Sequence, residues 1–465
     1  PPFYPLTLAA AMSLGLSAET GAILINLFCL AGILLLLSWQ LAKTSSSLVI
    51  GMLVGLLLAG SPILLPAFSW AMSEPLSLFL IVTGFWLLLR GLHADSFKWL
   101  AGSAYLAGLS LLTRYSMAAG VLTACLMVLV FWRGSMGKRI LATTVYGLIA
   151  AIPMVIWLVI DLTTNSTVAS RNLLGNINVG AEIMRFFNQL RPLFLQWLLP
   201  DSLIESVPGW ISLIVTAAVL LVILLSLICT LRSIARREMA HGVSSHAQAL
   251  VLTYALFFFL YLVQIMLVSV TTFPPITIGA RMLLPAAVAA LVVIAVPVGQ
   301  FLEKPNLSVW LRWLVLAGLV FFTAYNGLRG VRIARQNALD GLGYNSLAWR
   351  NSETVAYLTS ETEPSDALVT NEETALLYLL NRPSWPIREV YARGPDSIYY
   401  KYTDPIEQEA PDQGRQLFQK GEALLVVFDN FPDQMADLYG AAAQERVDGL
   451  LTGLTPIFYG DDGTV

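Results

Sequence analysis

Residues 21–39 read GAILINLFCLAGILLLLSW and contain no charged side chain. A run of about 20 apolar residues is long enough to cross the hydrocarbon core of a bilayer as a helix. Residues 209–231, GWISLIVTAAVLLVILLSLICTL, form a second run of this kind. Of the 465 residues, 57% are hydrophobic and 12% are charged, against about 25% charged residues in soluble domains. The composition therefore predicts a polytopic α-helical membrane protein.

Ten apolar segments are predicted to span the membrane. Their approximate bounds are 20–41, 48–66, 75–89, 99–112, 117–132, 140–160, 208–231, 249–270, 282–299 and 309–325. Leu6–Leu16 is too short to be counted with them. Arg185 and Arg191 interrupt residues 181–200, which is typical of a helix lying in the interface plane.

Charge is divided unevenly along the chain. Residues 1–339 have a net charge of +10, and residues 340–465 have a net charge of −13. Basic residues in the short loops predict which side is cytoplasmic, and they place residues 1–16, the loop 161–207 and the acidic tail outside. We therefore predict a transmembrane domain over 1–330 and a small C-terminal extracytoplasmic α/β domain over 331–465.

The tail alternates helix-like and strand-like segments, which favours an α/β layer domain. NSETVAYLTSE (351–361), NEETALLYLL (371–380) and IEQEAPDQGRQLFQKG (406–421) are predicted helices. DALVT (366–370) and EALLVVFDN (422–430) are predicted strands. Solvation of the tail is a sufficient explanation for its acidic composition.

Several chemistries have no support in the sequence. Cys29, Cys125 and Cys229 lie in or beside apolar segments and imply no disulfide framework. The three histidines (His93, His241 and His246) fall in predicted cytoplasmic loops, which argues against a zinc site or a Ser-His-Asp site on the outer face. No cofactor or metal is expected. No basic stripe with interleaved aromatic residues indicates nucleic acid.

Charged side chains at the mouth of a membrane helix are costly, so each is a functional candidate. Ser73 and Glu74 precede Pro75 at the outer mouth of a predicted span. They are either a helix cap or a carboxylate that faces an outer cavity. Arg114 and Tyr115 lie between two apolar runs. A guanidinium at that depth favours a phosphate, although it could also snorkel to a lipid headgroup.

Two further positions are predicted on the same outer face. Arg281 opens a late span after a Pro-rich loop and is either a phosphate contact or an interface anchor. In the opening PPFYP, extended backbone with Phe3 and Tyr4 could form an aromatic wall, or Phe3 and Tyr4 could belong to an aromatic belt. A carboxylate, two arginines and aromatic rings on one face suit a lipid-linked phosphate that carries a sugar.

Six stretches occur in an order typical of one superfamily. They are PPFYPLTLA (1–9), SEPLSLFLIVTGFWLLLRGL (73–92), LAGLSLLTRYSMAAGVL (106–122), ARMLLPAA (280–287), WRNSETVAYL (349–358) and DALVTNEETALLYLLNRPSW (366–385). The chain resembles the GT-C superfamily of membrane glycosyltransferases. The most similar branch is family 39-like: bacterial relatives of protein O-mannosyltransferases and of the aminoarabinose transferase of lipid A.

The resemblance implies transfer of a sugar from a polyprenyl-phosphate donor to an acceptor on the outer face, with inversion at the anomeric carbon. It also implies a location in a bacterial cytoplasmic membrane. By this resemblance Glu74 matches the acidic residue before proline at a helix mouth and is a supporting acid. Arg114, with Tyr115, and Arg281 match donor-phosphate contacts, while Phe3, Tyr4 and Ser73 line the substrate cavity. Pro1–Pro5 resemble a stretch that follows an acidic motif in the family. We therefore expect a further helix and the main catalytic base upstream of Pro1.

Two alternatives to catalysis stay open. A transporter of lipid-linked sugars would use the membrane arginines without a base. A non-catalytic accessory subunit on a degenerate transferase fold would need neither. The expected partners are membrane lipids, a polyprenyl-phosphate sugar, an acceptor that is a protein, a lipid or a glycan, and other membrane proteins.

Overall fold

The computed structural model describes residues 1–45, 47–164, 172–173, 179–204, 206–237, 246–273, 278–387, 413–439 and 443–465. Two compact units are present. The first comprises Pro1–Ser170 and Ile177–Arg335, and the second comprises Arg171–Asn176 and Gln336–Val465.

The first unit is built from helices. They are α1 Phe3–Ser13, α2 Ala18–Ser45, α3 Leu48–Ala59, α4 Leu64–Ser69, α5 Glu74–Ala94, α6 Phe97–Thr113, α7 Ala118–Phe131, α8 Met136–Thr164, α9 Val179–Gln196, α10 Asp201–Ile204, α11 Gly209–Arg237, α12 His246–Thr271, α13 Leu284–Leu302 and α14 Val309–Asp340. Short 3-10 turns occupy Tyr115–Met117 and Ala280–Leu283, and the short strand β2 occupies Thr272–Phe273. The short strand β1 (Asn172–Leu173) and the last five residues of α14 are counted with the second unit.

Helix α2 has one apolar face buried in the unit and another apolar face exposed, as is typical of a membrane-spanning helix. Ile33, Leu37 and Leu41 recur every four residues and are almost completely buried on one face, as the helical period requires. The other face exposes Phe28 and Leu35, at 68% and 73% of their surface. Apolar side chains exposed to this extent along a whole helix are stable in lipid rather than in water.

The described residues contain seven helices long and apolar enough to cross a membrane, which confirms the prediction of a polytopic membrane protein. They are α2, α5, α8, α11, α12, Ala280–Leu302 (the 3-10 turn with α13) and α14. More than half of the apolar window of α5, α12 and α13 is buried, so these three helices are central. Less than a fifth is buried in α8, α11 and α14.

Three of the ten predicted spans are not among these seven long helices. The segment 48–66 is divided into α3 and α4, because Pro62 cannot donate a helical hydrogen bond and the Ser61 hydroxyl accepts from the backbone N–H groups of Ile63 and Leu64, both at 3.3 Å. Segment 99–112 forms α6, which has 17 residues, and segment 117–132 forms α7, which has 14 residues. Conversely, α14 continues to Asp340 rather than ending near 325.

Hydrogen bonds between small polar side chains and backbone join the helices inside the membrane. The Ser110 hydroxyl of α6 donates to the carbonyl of Ser77 on α5 at 2.8 Å. The Ser103 hydroxyl donates to the carbonyl of Gly84 at 2.8 Å and is 2.9 Å from the Tyr146 hydroxyl of α8. In an apolar medium such bonds and close contacts between small residues hold helices together.

The second unit contains a five-stranded mixed sheet. Its strands are β3 Ala367–Thr370, β4 Trp385–Pro386, β5 Ala423–Phe428, β6 Tyr459–Gly460 and β7 Gly463–Thr464, in the spatial order β4-β3-β5-β7-β6. β3 is parallel to both β4 and β5, with Ala367 opposite Ala423, and β7 is antiparallel to β5 and β6.

The helices of the second unit follow the predicted α/β alternation. They are α15 Leu347–Arg350, α16 Glu353–Glu361, α17 Glu373–Leu380, α18 Gln413–Gln419, α19 Phe431–Tyr439 and α20 Ala443–Leu451, with a 3-10 turn at Gly343–Asn345. The Ser352 hydroxyl accepts from the N–H of Val355 at 3.0 Å and caps α16, a position at which serine is favoured. The first part of the predicted helix 406–421 lies outside the described residues.

The close approach of α6 to α8 gives a test of the helix packing. A methyl group at Gly108 would collide with the carbonyl oxygen of Ala150. Gly108→Ala should therefore lower the free energy of unfolding by about 1–3 kcal/mol, as overpacking does, and thermal unfolding in detergent would measure it.

Gly102 on the same helix is the matched control. A methyl group there meets Leu87 Cδ1 at 3.4 Å, an ordinary contact. Gly102→Ala should leave stability unchanged or raise it by about 0.5–1 kcal/mol. Equal effects of the two substitutions would contradict this packing of α6 on α8.

Candidate active site

The N-terminus of α5 is held by a buried asparagine. The Asn26 amide of α2 donates to the carbonyls of Phe68 and Trp70 at 3.1 and 2.6 Å. Both carbonyls lie just before the residues that begin α5, so α2 fixes the position of Ser73 and Glu74. Pro75 stands in the first turn of α5, where its missing N–H has no consequence.

Glu74 is paired with an arginine rather than exposed to solvent. Nη1 of Arg114 is 2.5 Å from Glu74 Oε1, and the exposed fractions of the two side chains are 21% and 5%. The same nitrogen is 3.5 Å from the Ser73 hydroxyl. Through these two contacts Ser73, Glu74 and Arg114 form one cluster. The Ser73 side chain does not cap α5. Glu74 belongs to an ion pair and not only to a helix cap.

Arg114 owes its position to a break between two helices. Helix α6 ends at Thr113, and Arg114 is extended (φ −151°, ψ 127°) before the 3-10 turn that starts at Tyr115. The extended backbone turns the side chain away from the axis of α6 and toward the start of α5. Among the described residues, Nε and Nη2 of Arg114 have no protein partner. The guanidinium therefore retains donors for an anion.

Arg281 also lies near the N-terminal end of α5, although it comes from a different part of the chain. It lies in the 3-10 turn Ala280–Leu283, and its Nη1 is 3.7 Å from the sulfur of Met72. Met72 immediately precedes Ser73. Arg281 is exposed, and it adds a positive charge beside a pair that is neutral overall. The sum of these charges favours an anionic ligand.

Tyr261 is a residue of this region that the sequence reasoning missed. Its hydroxyl donates to the carbonyl of Met282 at 2.7 Å, and it lies close enough to Arg114 and Glu74 for their charges to act on it. Tyr261 is buried and ties the turn that carries Arg281 to α12. A phenol within an apolar span was the signal that could have indicated it, because buried tyrosine hydroxyls need partners.

Gln264, one helical turn further along α12, was also missed. Its side-chain oxygen accepts from the N–H of Ala119 at 2.8 Å, and its amide donates to the carbonyl of Tyr115 at 2.9 Å. These bonds satisfy backbone groups released by the break at Arg114, as groups at membrane depth require. The side chain of Tyr115 itself is 45% exposed.

The opening residues are helical, so the prediction of an extended Pro-rich backbone is wrong. Helix α1 begins at Phe3 and contains Pro5 in its first turn, a position that tolerates proline. Tyr4 is buried, and the charge of Glu74 acts on its hydroxyl. That hydroxyl is buried and has no hydrogen-bond partner within the described part of the chain. Phe3 is half-buried against the membrane core.

The predicted loop histidines are at helix ends. His93 lies in the last turn of α5 and His246 begins α12, with their ring centroids 4.0 Å apart. His241 lies outside the described residues. Within the ranges that the structure describes, no three His, Cys, Asp or Glu side chains are grouped as metal ligands would be.

The N-terminal part of the chain, which carries the pair of Glu74 and Arg114, matches a known protein family. Residues 1–157 match the family model described as dolichyl-phosphate-mannose-protein mannosyltransferase. The resemblance to the GT-C superfamily is confirmed. The match supports a membrane glycosyltransferase of the GT-C type, and it includes Tyr4, Ser73, Glu74 and Arg114. No curated protein matches the chain.

The ion pair can be tested by a double-mutant cycle. Removing one partner of a buried pair costs about 3–5 kcal/mol, and the partial exposure of Arg114 reduces this to roughly 2–3 kcal/mol. Glu74→Gln and Arg114→Gln should each lower thermal stability, and the double variant should lose less than the sum of the two, because neither charge is then left alone. Additive losses would show that the two charges are not coupled.

Proposed function

We propose that the chain transfers a sugar from a polyprenyl-phosphate-linked donor to an acceptor at the extracytoplasmic face of the membrane, with inversion at the anomeric carbon. The observation that carries the proposal is Arg114. Its guanidinium is fixed at a helix break inside the segment that matches the mannosyltransferase family, and part of its hydrogen-bonding capacity is unused by the protein.

The donor phosphate would bind Arg114 and Arg281. Arginine presents a planar set of donors that matches phosphate oxygens. Arg114 offers Nε and Nη2, and Arg281 is exposed beside Met72. A lipid-linked phosphate can approach from the membrane while its sugar remains in water.

In the reaction, an acceptor oxygen attacks the anomeric carbon, and the bond between that carbon and the phosphate oxygen breaks. The electron pair of that bond goes to the phosphate. The two arginines stabilise the charge that develops there, a contribution that is largest in a site arranged before the reaction. The proton of the acceptor goes to a carboxylate or to water.

We assign Glu74 a supporting role. Its Oε1 is engaged by Arg114 and its side chain is 5% exposed. It orients the guanidinium and balances its charge when no donor is bound. The Ser73 hydroxyl lies 3.5 Å from Nη1 of Arg114, and we place Ser73 with Phe3, Tyr4 and Tyr115 at the border of the substrate cavity.

Transfer can be measured with protein in membrane vesicles that receive a panel of polyprenyl-phosphate sugars with radiolabelled sugar. We expect the label to leave the donor fraction. Arg114→Gln and Arg281→Gln should each lower the rate at subsaturating donor by about 10²-fold, the usual effect of removing one group that stabilises developing charge.

Arg332→Gln is the matched control, because Arg332 is an exposed arginine of α14 and its loss should leave the rate unchanged. Transfer at the full rate by Arg114→Gln at equal protein level would remove Arg114 from the site. Passage of intact donor across the vesicle membrane would favour a transporter. Donor that is neither moved nor consumed would favour an accessory subunit.

A further inference from the structure

The second unit has its own candidate binding site, at the carboxyl ends of two parallel strands. β3 and β5 are neighbours in the sheet, and each is followed by a helix. After β3 the chain enters α17 and continues to β4 on one side. After β5 it enters α19 and finally reaches β7 on the other side.

The two helices cover opposite faces of the sheet. Leu376 of α17 packs in one core with Leu368 and Val426. Phe431 and Met435 of α19 pack in a separate core with Val369. Adjacent parallel strands whose connections leave to opposite faces form a topological switch point, and the crevice at their carboxyl ends is the usual ligand site of open α/β sheets.

Polar side chains fill this switch point. The Asn371 side-chain oxygen accepts from the N–H of Phe428 at 2.9 Å, and its amide donates to the Asn430 side-chain oxygen at 2.7 Å. These bonds join the end of β3 to the end of β5. Asn371 is buried, whereas Asp429 and Asn430 are exposed, so the cluster extends from the interior of the unit to solvent.

Glu372 is the centre of the cluster. Its carboxylate accepts from the Tyr344 hydroxyl at 3.2 Å, from the Gln434 amide at 3.1 Å and from the amide of Asn430. A carboxylate has about four acceptor sites, so one is left for a ligand. Burial and the adjacent carboxylate of Glu372 raise the pKa of the Tyr344 hydroxyl to about 12, so this phenol remains a donor at neutral pH.

The charge of the cluster decides which ligands it can accept. The start of a helix normally attracts anions, but here Glu372 occupies the start of α17 and Asp429 lies at the end of β5. Both carboxylates oppose a phosphate. A metal ion is also disfavoured, because no group of three acidic, His or Cys side chains occurs among the described residues.

Aromatic rings complete the site. The ring of Tyr344 is 6.4 Å from that of Tyr378 and inclined to it, and Tyr378 is 49% exposed. Aromatic faces pack against apolar surface, and the C–H face of a sugar ring is such a surface. A sugar hydroxyl can donate one hydrogen bond and accept others. It therefore suits a site that offers both a carboxylate and side-chain amides beside the aromatic rings.

We propose that the switch point formed by Tyr344, Glu372, Asn430 and Gln434 binds a neutral carbohydrate. This site is separate from the Arg114 cluster and does not depend on the donor proposed above. It would recognise a saccharide on the acceptor or on a neighbouring glycan.

The experiment uses the full chain in lipid nanodiscs, since maltoside detergents would compete for a sugar site. Saturation-transfer NMR is recorded with methyl α-mannoside and methyl α-glucoside as neutral probes, and thermal shifts are recorded with inorganic phosphate and calcium. We expect transfer to the ring protons of at least one glycoside and no shift with phosphate or calcium. Gln434→Ala and Tyr378→Ala should each weaken the transfer at least about fivefold, about 1 kcal/mol of binding free energy.

Gln444→Ala is the matched control, because Gln444 is an exposed glutamine on α20 bonded to Asp448. It should retain the full signal, and so should Arg114→Gln, which separates this site from the membrane site. Absence of transfer from both glycosides at millimolar concentration would overturn the proposal. So would an undiminished signal in folded Gln434→Ala and Tyr378→Ala, or a phosphate or calcium shift that Gln434→Ala abolishes.

Discussion

The pair between Arg114 and Glu74 is the interaction on which the arrangement of the membrane unit depends. A single charge at membrane depth costs several kcal/mol, so each of these residues needs the other wherever water does not reach it. Because Arg114 follows α6 and Glu74 begins α5, the pair fixes the C-terminal end of α6 next to the N-terminal end of α5. The pair is not completely buried, since one fifth of the Arg114 side chain is exposed.

The helix break at Arg114 exists because other polar side chains satisfy the backbone around it. Gln264 bonds to the N–H of Ala119 and the carbonyl of Tyr115, and Asn26 bonds to the carbonyls before α5. Tyr261 does the same for the turn that carries Arg281. Irregular backbone within a membrane is tolerated only where its polar groups are satisfied in this manner. The same irregular segments carry the candidate arginines Arg114 and Arg281. The side chains that satisfy the backbone therefore also hold the candidate site residues in place.

The two units rely on different physical chemistry. In the membrane unit, cationic donors beside a neutral pair favour a phosphate. In the second unit, the carboxylate of Glu372 accepts from a phenol and two amides, and it favours a ligand that has hydroxyl groups and no negative charge. Both preferences fit the transfer proposed above, in which the donor carries a phosphate.

The sequence by itself determined the membrane class, the spans of most long helices and the α/β alternation of the tail. The length of an apolar segment and the period of its apolar residues are local properties of the chain, and they do not depend on how distant segments pack. It also indicated Glu74, Arg114 and Arg281 as candidates, because a charge beside an apolar run is conspicuous in any sequence. The break at Pro62 and the helical conformation of Phe3–Pro5 were not predicted, since proline is compatible with both a helix start and a loop.

Only the tertiary structure decided which candidates meet. Glu74 and Arg114 are separated by forty residues, and their contact depends on how α5 packs against α6. Tyr261 and Gln264 lie in an apolar run, and their importance comes from backbone groups on other helices. The switch point of the second unit likewise depends on strand order. Long-range packing sets these contacts, and no local pattern of residues records it.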